Sequence, residues 1–240
     1  MKEIDLALSY LNRDRVLHAN MLEVLRRGSF RLLGASSQSA LLLDTVSEAY
    51  LLSASTAAET DRLLTLLPPR CDLLVGHQLE EAPRIQRELK FPHIEVCYSS
   101  AYLGTIPLPI PFFDGELRLL DPSWAQWVYD HYSHPFGDLS YYQGALERGM
   151  LGAFYRGSDQ PAGFVGFHEE GSIGMLEVLS SHRRKGLGTI LQSAAVNLAL
   201  KRGSLAFGQI FEGNEASLAL QQKIGMSLSA QKIYWLIRDE

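Results

Sequence analysis

The sequence predicts a mixed α/β fold, a larger α/β domain preceded by a smaller one. Three observations carry this expectation. Apolar runs rich in β-formers alternate along the chain with segments of helical spacing. Across residues 172–200 an apolar run, SIGMLEVL, passes through a basic turn with two glycines, SSHRRKGLG, straight into the helical pattern TILQSAAVNLAL. Near the middle, TIPLPIPFFDG at 105–115 places three prolines in five positions and breaks the periodic patterns on either side.

A chain of 240 residues is long enough for one large domain or two small ones. A hydrophobic content of 46% and a charged content of 20% are those of an ordinary globular protein. The formal charge of −5 argues against a nucleic-acid partner, which calls for a basic face. Cys71 and Cys97 are the only cysteines, and free thiols in a reducing, cytoplasmic setting are expected of them. The first residues, MKEIDLALSYLNRDRVL, mix charges among their apolar positions, so neither a signal peptide nor a membrane span is expected there.

Taken in order, residues 5–25 carry apolar side chains at helical intervals and Gly28 stands where a cap belongs, predicting one or two helices. Residues 40–46 and 49–55 read as a hairpin. Thr56 to Glu59 form a capping-box pattern ahead of a helix that Pro68 and Pro69 end at Leu67. Strand, helix and strand follow as CDLLVGH, EEAPRIQREL and HIEVCYSS. The proline-rich stretch then reads as a linker or docked connector, dividing the chain into domains at 1–108 and 109–240.

Beyond it, ELRLLD is a short strand, and Asp121-Pro122 signals a helix start by cap and by proline at the first position. A second helix, LSYYQGALERG, and two strands, LGAFYR and PAGFVGFHEE, lead into the central stretch. After it come a strand LAFGQIFE, a helix that Asn214 opens and Gly225 closes, and a final strand SAQKIYWLIR. The last elements of the two halves share one order, so the first half is a candidate degenerate copy of the second. Its counterpart of the basic turn, SASTAAETD, has no glycine and no basic residue.

The turn at 183–188 fits neither common nucleotide fingerprint. The string G-x-x-x-x-G-K-[ST] is absent, and in Gly186-x-Gly188 the third glycine of G-x-G-x-x-G is replaced by Leu191. What stands is Arg183-x-x-Gly186-x-Gly188 after an apolar strand, followed one helix and one strand later by NEASLALQQKIGM. Together these blocks, within residues 115–240, resemble the GNAT superfamily of N-acetyltransferases, with the glycine N-acyltransferase-like branch as the nearest flavour.

The resemblance implies a GNAT-like α/β (α+β) catalytic domain, a mixed, mostly antiparallel central sheet flanked by helices and preceded by the smaller α/β domain, that moves an acetyl or other acyl group from acetyl-CoA to a primary amine. The acceptor is a small molecule or peptide, the attack is direct, and no metal, membrane or nucleic acid takes part. It places the coenzyme's pyrophosphate on the backbone of Arg184, Lys185, Gly186, Leu187, Gly188 and Thr189, with charge from Arg183, Arg184 and Lys185. It places the pantetheine arm along Val178, Leu179 and Ser180, with the Val178 N–H as oxyanion donor. Asn214 and Ser217 are carried as further coenzyme contacts, Asn214 having a capping role of its own. Glu177, on the strand that delivers the thioester, is the candidate base, with Glu169 and Glu170 as more distant carboxylates. Where many members carry a tyrosine acid this chain has Gln221, which leaves the acid unassigned, with Tyr155, Tyr234, Ser217 or water as substitutes. The competing expectation is a non-catalytic CoA-binding or partner-binding module. His182 is expected in an exposed loop and His168 at a strand edge, while Trp124, Trp127, Tyr141 and Tyr142 are expected in the core or at the acceptor pocket. Oligomeric state has no signature in the sequence.

Overall fold

The structure is a computed structural model that describes residues 2–238. Eight helices and eleven strands are formed among them. The chain opens with α1 (Glu3–Leu11) and α2 (Ala19–Arg27), and Gly28 ends α2 in the left-handed conformation at φ 74°. Then come β1 (Phe30–Ser36), β2 (Ser39–Asp44), β3 (Tyr50–Ala54), α3 (Ala57–Leu64), β4 (Leu73–His77), α4 (Ala82–Leu89) and β5 (His93–Tyr102). Beyond the proline-rich stretch lie β6 (Gly115–Leu119), α5 (Ala125–His131), α6 (Leu139–Gly149), β7 (Leu151–Tyr155), β8 (Gly163–Phe167), β9 (Ile173–Val178), α7 (Leu187–Lys201), β10 (Ala206–Phe211), α8 (Glu215–Lys223) and β11 (Ser227–Ile237).

Two sheets form. A seven-stranded sheet runs β1-β2-β3-β4-β11-β5-β10, and a four-stranded sheet runs β6-β7-β8-β9. The β3–β4 pair is parallel, whereas β1–β2, β2–β3, β4–β11, β5–β11 and the neighbours of the smaller sheet are antiparallel. Two elements depart from the sequence expectation. Strand β1 was not foreseen, and α3 stops at Leu64, three residues before the expected end. The β1–β2 register shifts between Leu32 and Gly34, which interrupts the alternation by which an edge strand is recognised.

The compact units do not follow a single cut in the chain. Among the described residues, 2–101, 209–218 and 227–238 group as one unit, and 102–208 and 219–226 as the other. In the first unit β11 lies between β4 and β5 and pairs with both, so the C-terminal strand completes the sheet of the N-terminal half. Its core is built on Leu41, Leu52, Leu63, Leu74, Ile85 and Leu236. Cys71 and Cys97 are buried free thiols, and burial pushes each thiol up to about 12.

The first unit also encloses a polar chain. The His77 ring nitrogens meet the Leu52 carbonyl at 3.0 Å and Asn20 Oδ1 at 2.8 Å, and His18 bridges the Leu11 carbonyl at 3.0 Å and Ser53 Oγ at 2.8 Å. Burial, with His18 nearby, lowers His77 to about 3, and burial lowers His18 as well. Between about pH 6.5 and pH 3 the unfolded chain therefore binds protons that the folded chain refuses, so stability falls with pH in that window. Urea unfolding followed by circular dichroism will show a loss of about 1 kcal/mol or more per pH unit on going from pH 6 to pH 4. An H77N variant, which takes up no such proton, will show a shallower slope.

In the second unit two cores lie on the two faces of the four-stranded sheet. Val165, Ile173, Leu187, Ile190 and Leu191 pack under α7, while Phe154, Phe164, Met175 and Tyr142 pack under α5 and α6. The proline-rich stretch forms no regular element in residues 103–114 and behaves as a docked connector, because the Asn197 side chain of α7 brackets Leu108, accepting from its N–H at 2.7 Å and donating to its carbonyl at 2.9 Å. No helix among the described residues is long and apolar enough to cross a membrane.

Candidate active site

The second unit holds the stretch from β9 to α7. Strand β9 is the end strand of its sheet, with β8 on one side and no strand on the other. Phe164 stands opposite Glu177, and the Leu179 N–H donates to the Ala162 carbonyl at 3.0 Å. Antiparallel alternation then turns the Val178 N–H and C=O, and the Leu176 N–H, to the open edge. Strand β10 likewise ends its sheet, and Gly208 passes so close to β9 that a Cβ there would lie 2.9 Å from the Ile173 carbonyl. The two strands are near neighbours at this point without a ladder between them.

A bulge decides which face Glu177 takes. The β8–β9 register shifts so that Met175 and Leu176 share one partner position, and Met175 adopts φ 50°, a left-handed conformation rare for a residue with a Cβ. The extra residue reverses the alternation. Ile173 packs under α7, yet Met175 packs under α5 and α6, and Glu177 follows Met175 to that face. There Glu177 is only 6% exposed. Its Oε2 accepts from the Ser133 N–H at 3.0 Å and from the Ser133 hydroxyl, and its Oε1 accepts from Arg183 Nη2 at 3.1 Å. Ser133 stands in the turn between α5 and α6. Beside it Tyr132, 6.2 Å from the Phe164 ring, is raised to about 12, chiefly by burial and in part by the charges of Tyr142 and Glu177.

The basic turn divides its labour. Arg183 faces back to the strand, where its Nε donates to the Val178 carbonyl at 2.9 Å while Nη2 holds Glu177. Arg184 and Lys185 are exposed, and Lys185 Nζ reaches the Ser181 carbonyl at 3.2 Å. Arg184 at φ 64° and Gly186 at φ 83° are left-handed, which curls the backbone into a concave row of N–H groups. Gly186 caps α7 with no side chain acceptor, and a Cβ on it would meet nothing within 4 Å. Among the described residues, none of the N–H groups of residues 184–189 finds a protein acceptor, the first helical bond being Ile190 N–H to the Gly186 carbonyl at 3.2 Å. Six adjacent donors around an uncapped helix start form a seat for an anion. Lys223 of α8 adds a cation beside it, its Nζ standing 3.4 Å from Thr189 Oγ1, and Leu220 packs near Gly188.

The sequence-derived residues are thus placed in two groups. Glu177, Val178, Leu179, Ser180, Arg183, Arg184, Lys185, Gly186, Leu187, Gly188 and Thr189 are continuous in the second unit. Asn214 and Ser217 belong to the first unit, where Asn214 Oδ1 accepts the Ser217 N–H at 3.1 Å as the cap of α8. His182 is not a free loop residue, since it stacks on Tyr155 at 5.3 Å. His168 is also engaged. It pairs with the Tyr141 hydroxyl at 2.6 Å, and burial holds it below the usual histidine range, so the ring nitrogen accepts and the tyrosine donates. Sequence reasoning missed Ser133, Tyr132, Leu176 and Lys223. The last was on the page in the Lys-x-Gly pattern ending α8, but the other three needed the fold.

Elsewhere, a cleft of about 320 Å³ in the first unit is bordered by Thr56, Gln78, Glu80 and Glu81, with no basic side chain among its lining.

Residues 117–226 match the model of the acetyltransferase (GNAT) family. Solved structures share the fold over nearly the whole chain. A Drosophila protein matches with a TM-score of 0.73 at 17% identity, covering 99% of this chain and 97% of its own. A GCN5-related N-acetyltransferase from Kribbella flavida matches with a TM-score of 0.56 at 15% identity, covering 94% and 95%. A tandem GNAT protein from the clavulanic acid biosynthesis pathway matches with a TM-score of 0.51 at 15% identity, covering 96% and 92%. A search of curated proteins finds no match.

Proposed function

We propose that the protein is an acyl-CoA-dependent N-acyltransferase that moves an acetyl group from acetyl-CoA to a primary amine of a small molecule or peptide. The observation that carries this reading is the row of six unpaired N–H groups at residues 184–189, continuous with the open edge of β9. A pyrophosphate fits the row, and an extended amide arm fits the edge as a missing strand would. Glu177 takes a proton from the incoming ammonium. The amine nitrogen then bonds to the thioester carbon, and the Val178 N–H, with that of Leu176, stabilises the oxyanion. Collapse of the tetrahedral intermediate breaks the C–S bond, the nitrogen passes its second proton through water to the departing thiolate, and Glu177 returns the first to solvent. Arg183 and Ser133 hold the base from two sides. The reaction needs no metal from the protein.

The boundary at 108/109 is read as the junction of two sequence modules, the first a degenerate copy. Two features explain why only the second offers a seat. In the first module β3 and β4 pair in parallel from Tyr50↔Leu74 to Ser53↔His77, leaving no open edge between them. The start of α3 is capped from within, Thr56 Oγ1 accepting the Glu59 N–H at 3.3 Å. The buried thiols and the net charge of −5 agree with a cytoplasmic protein that binds no nucleic acid.

Gln221 at the place of the family's tyrosine favours a second reading, a CoA-binding module without chemistry. Thiol release from acetyl-CoA over a library of primary amines separates the two. Amine-dependent release supports the transferase, and tight acetyl-CoA binding with release at the blank rate supports the module. Within the transferase reading, Ser133→Ala removes one of the donors that fix Glu177. It will lower kcat about tenfold with acetyl-CoA affinity unchanged, read by the same assay and by calorimetry.

A further inference from the structure

The smaller sheet has a second open edge, which the acyl-transfer chemistry does not use. Strand β6 ends that sheet at the side away from β9, with β7 on one side of it and no strand on the other among the described residues. The Asp114 carbonyl accepts from the Arg156 N–H at 3.0 Å, and the Leu120 N–H donates to the Met150 carbonyl at 2.9 Å, so the even-numbered residues turn their backbone groups to β7. The N–H and C=O of Leu117 and Leu119, and the C=O of Gly115, therefore face outward. Open edges of this kind are templates for another strand, and charged side chains commonly blunt them. Here the two charges are opposite in sign and symmetric about Leu117, with Glu116 before it and Arg118 after it.

That symmetry specifies which strand fits. Laid antiparallel to itself about Leu117, β6 sets Leu117 opposite Leu117 of the copy and Gly115 opposite its Leu119, all of them residues with outward backbone groups. Four backbone hydrogen bonds close, Leu117 N–H to Leu117 C=O and Leu119 N–H to Gly115 C=O, each made twice by the two-fold axis. Between them Glu116 falls opposite Arg118 at non-hydrogen-bonded positions, where cross-strand side chains approach most closely. Arg118 Nε already donates to Glu116 Oε1 at 2.7 Å along its own strand, so the four charges alternate in sign around a square. The apolar side chains fit as well. Leu119 is 60% exposed, and the Phe113 ring lies beside the Gly115 it would face, with Cε2 2.6 Å from where a Cβ on that glycine would stand. Phe112, three residues before the strand, is 93% exposed and adds a large apolar ring next to the edge.

We propose that β6 pairs with β6 of a second copy of this chain about a two-fold axis through Leu117, joining two four-stranded sheets into one of eight. An unrelated peptide would satisfy the backbone groups alone, whereas the copy also matches both charges and brings a leucine to the Phe113 ring. Strand β9 stays at the far end of each sheet, so the pairing is independent of the acyl-CoA reading.

Sedimentation velocity on the full chain will show a dimer at tens of micromolar that dissociates on dilution. Glu116→Arg and Arg118→Glu each set like charges opposite one another at both cross-strand positions, and each will weaken the dimer about tenfold or more. An equimolar mixture of the two variants will recover it, because every arginine of one copy then faces a glutamate of the other. The exchanged double variant E116R/R118E will recover it too. Both side chains are exposed, so these variants keep the fold, which circular dichroism checks. Leu119→Pro removes two of the four bonds without touching those to β7, and it will also dissociate the dimer. A wild type that is monomeric at every concentration, or a dimer indifferent to all three single substitutions, overturns the proposal. So does a pair of monomeric charge variants whose mixture stays monomeric.

Discussion

Replacing Gly186 with glutamate will abolish acetyl-CoA binding and leave the fold intact. Gly186 sits at φ 83° at the head of α7, with open space where a side chain would project. That space adjoins the proposed anion seat. A glutamate there sets a negative charge against the pyrophosphate and bulk across the N–H groups of residues 184–189. Each lost charge-assisted hydrogen bond contributes about 1.5–3 kcal/mol, so losing two weakens binding by at least about 100-fold. The left-handed backbone adds a strain of about 1–2 kcal/mol for any L residue, and Gly186→Ala isolates it. The alanine variant will lose a little thermal stability and keep most of its affinity. Calorimetry and melting curves on the pair therefore separate charge from strain. Equal affinity in wild type and G186E would remove the seat from the mechanism.

The second large effect is on turnover. Glu177→Gln keeps the size of the side chain and an acceptor for the Ser133 N–H, and it removes the charge that accepts a proton. General-base catalysis is worth about 10²–10⁴ in rate, so kcat will fall by at least about 100-fold with acetyl-CoA affinity within about twofold of wild type. The deficit will be greatest at low pH and shrink as pH rises, because the amine then loses its proton to solvent and needs the base less. A rate unchanged at every pH would assign Glu177 to structure alone, as the link between the Ser133 turn and Arg183.

How far the sequence disclosed this arrangement depends on the distance over which each feature is determined. The turn at 183–189 was legible because glycines and basic residues side by side specify a local backbone shape. Cap signals were equally local, and Thr56, Asp121 and Asn214 all accept backbone N–H groups as their sequence context implies. The surroundings of Glu177 were not legible. Ser133 lies 44 residues away, and the face that brings them together is chosen by the bulge at Met175, where a methionine rather than a glycine takes the left-handed conformation. Strand β1 escaped notice because Gly34 sits where its register slips. The place of β11 between β4 and β5 is set by pairing across most of the chain, which periodicity cannot register. Arg183 illustrates the same divide. Its position marked it as basic and near an anion seat, and only the fold turns its guanidinium toward Glu177 and the Val178 carbonyl.

The most direct test of the proposed seat is to titrate the isotope-labelled protein with acetyl-CoA and follow its backbone amide resonances. The expected result is large, saturable shifts of the N–H signals of residues 184–189 and of Leu176 and Val178, with those at the capped start of α3 unmoved. Saturable binding that shifts other regions and leaves residues 184–189 unchanged would contradict it.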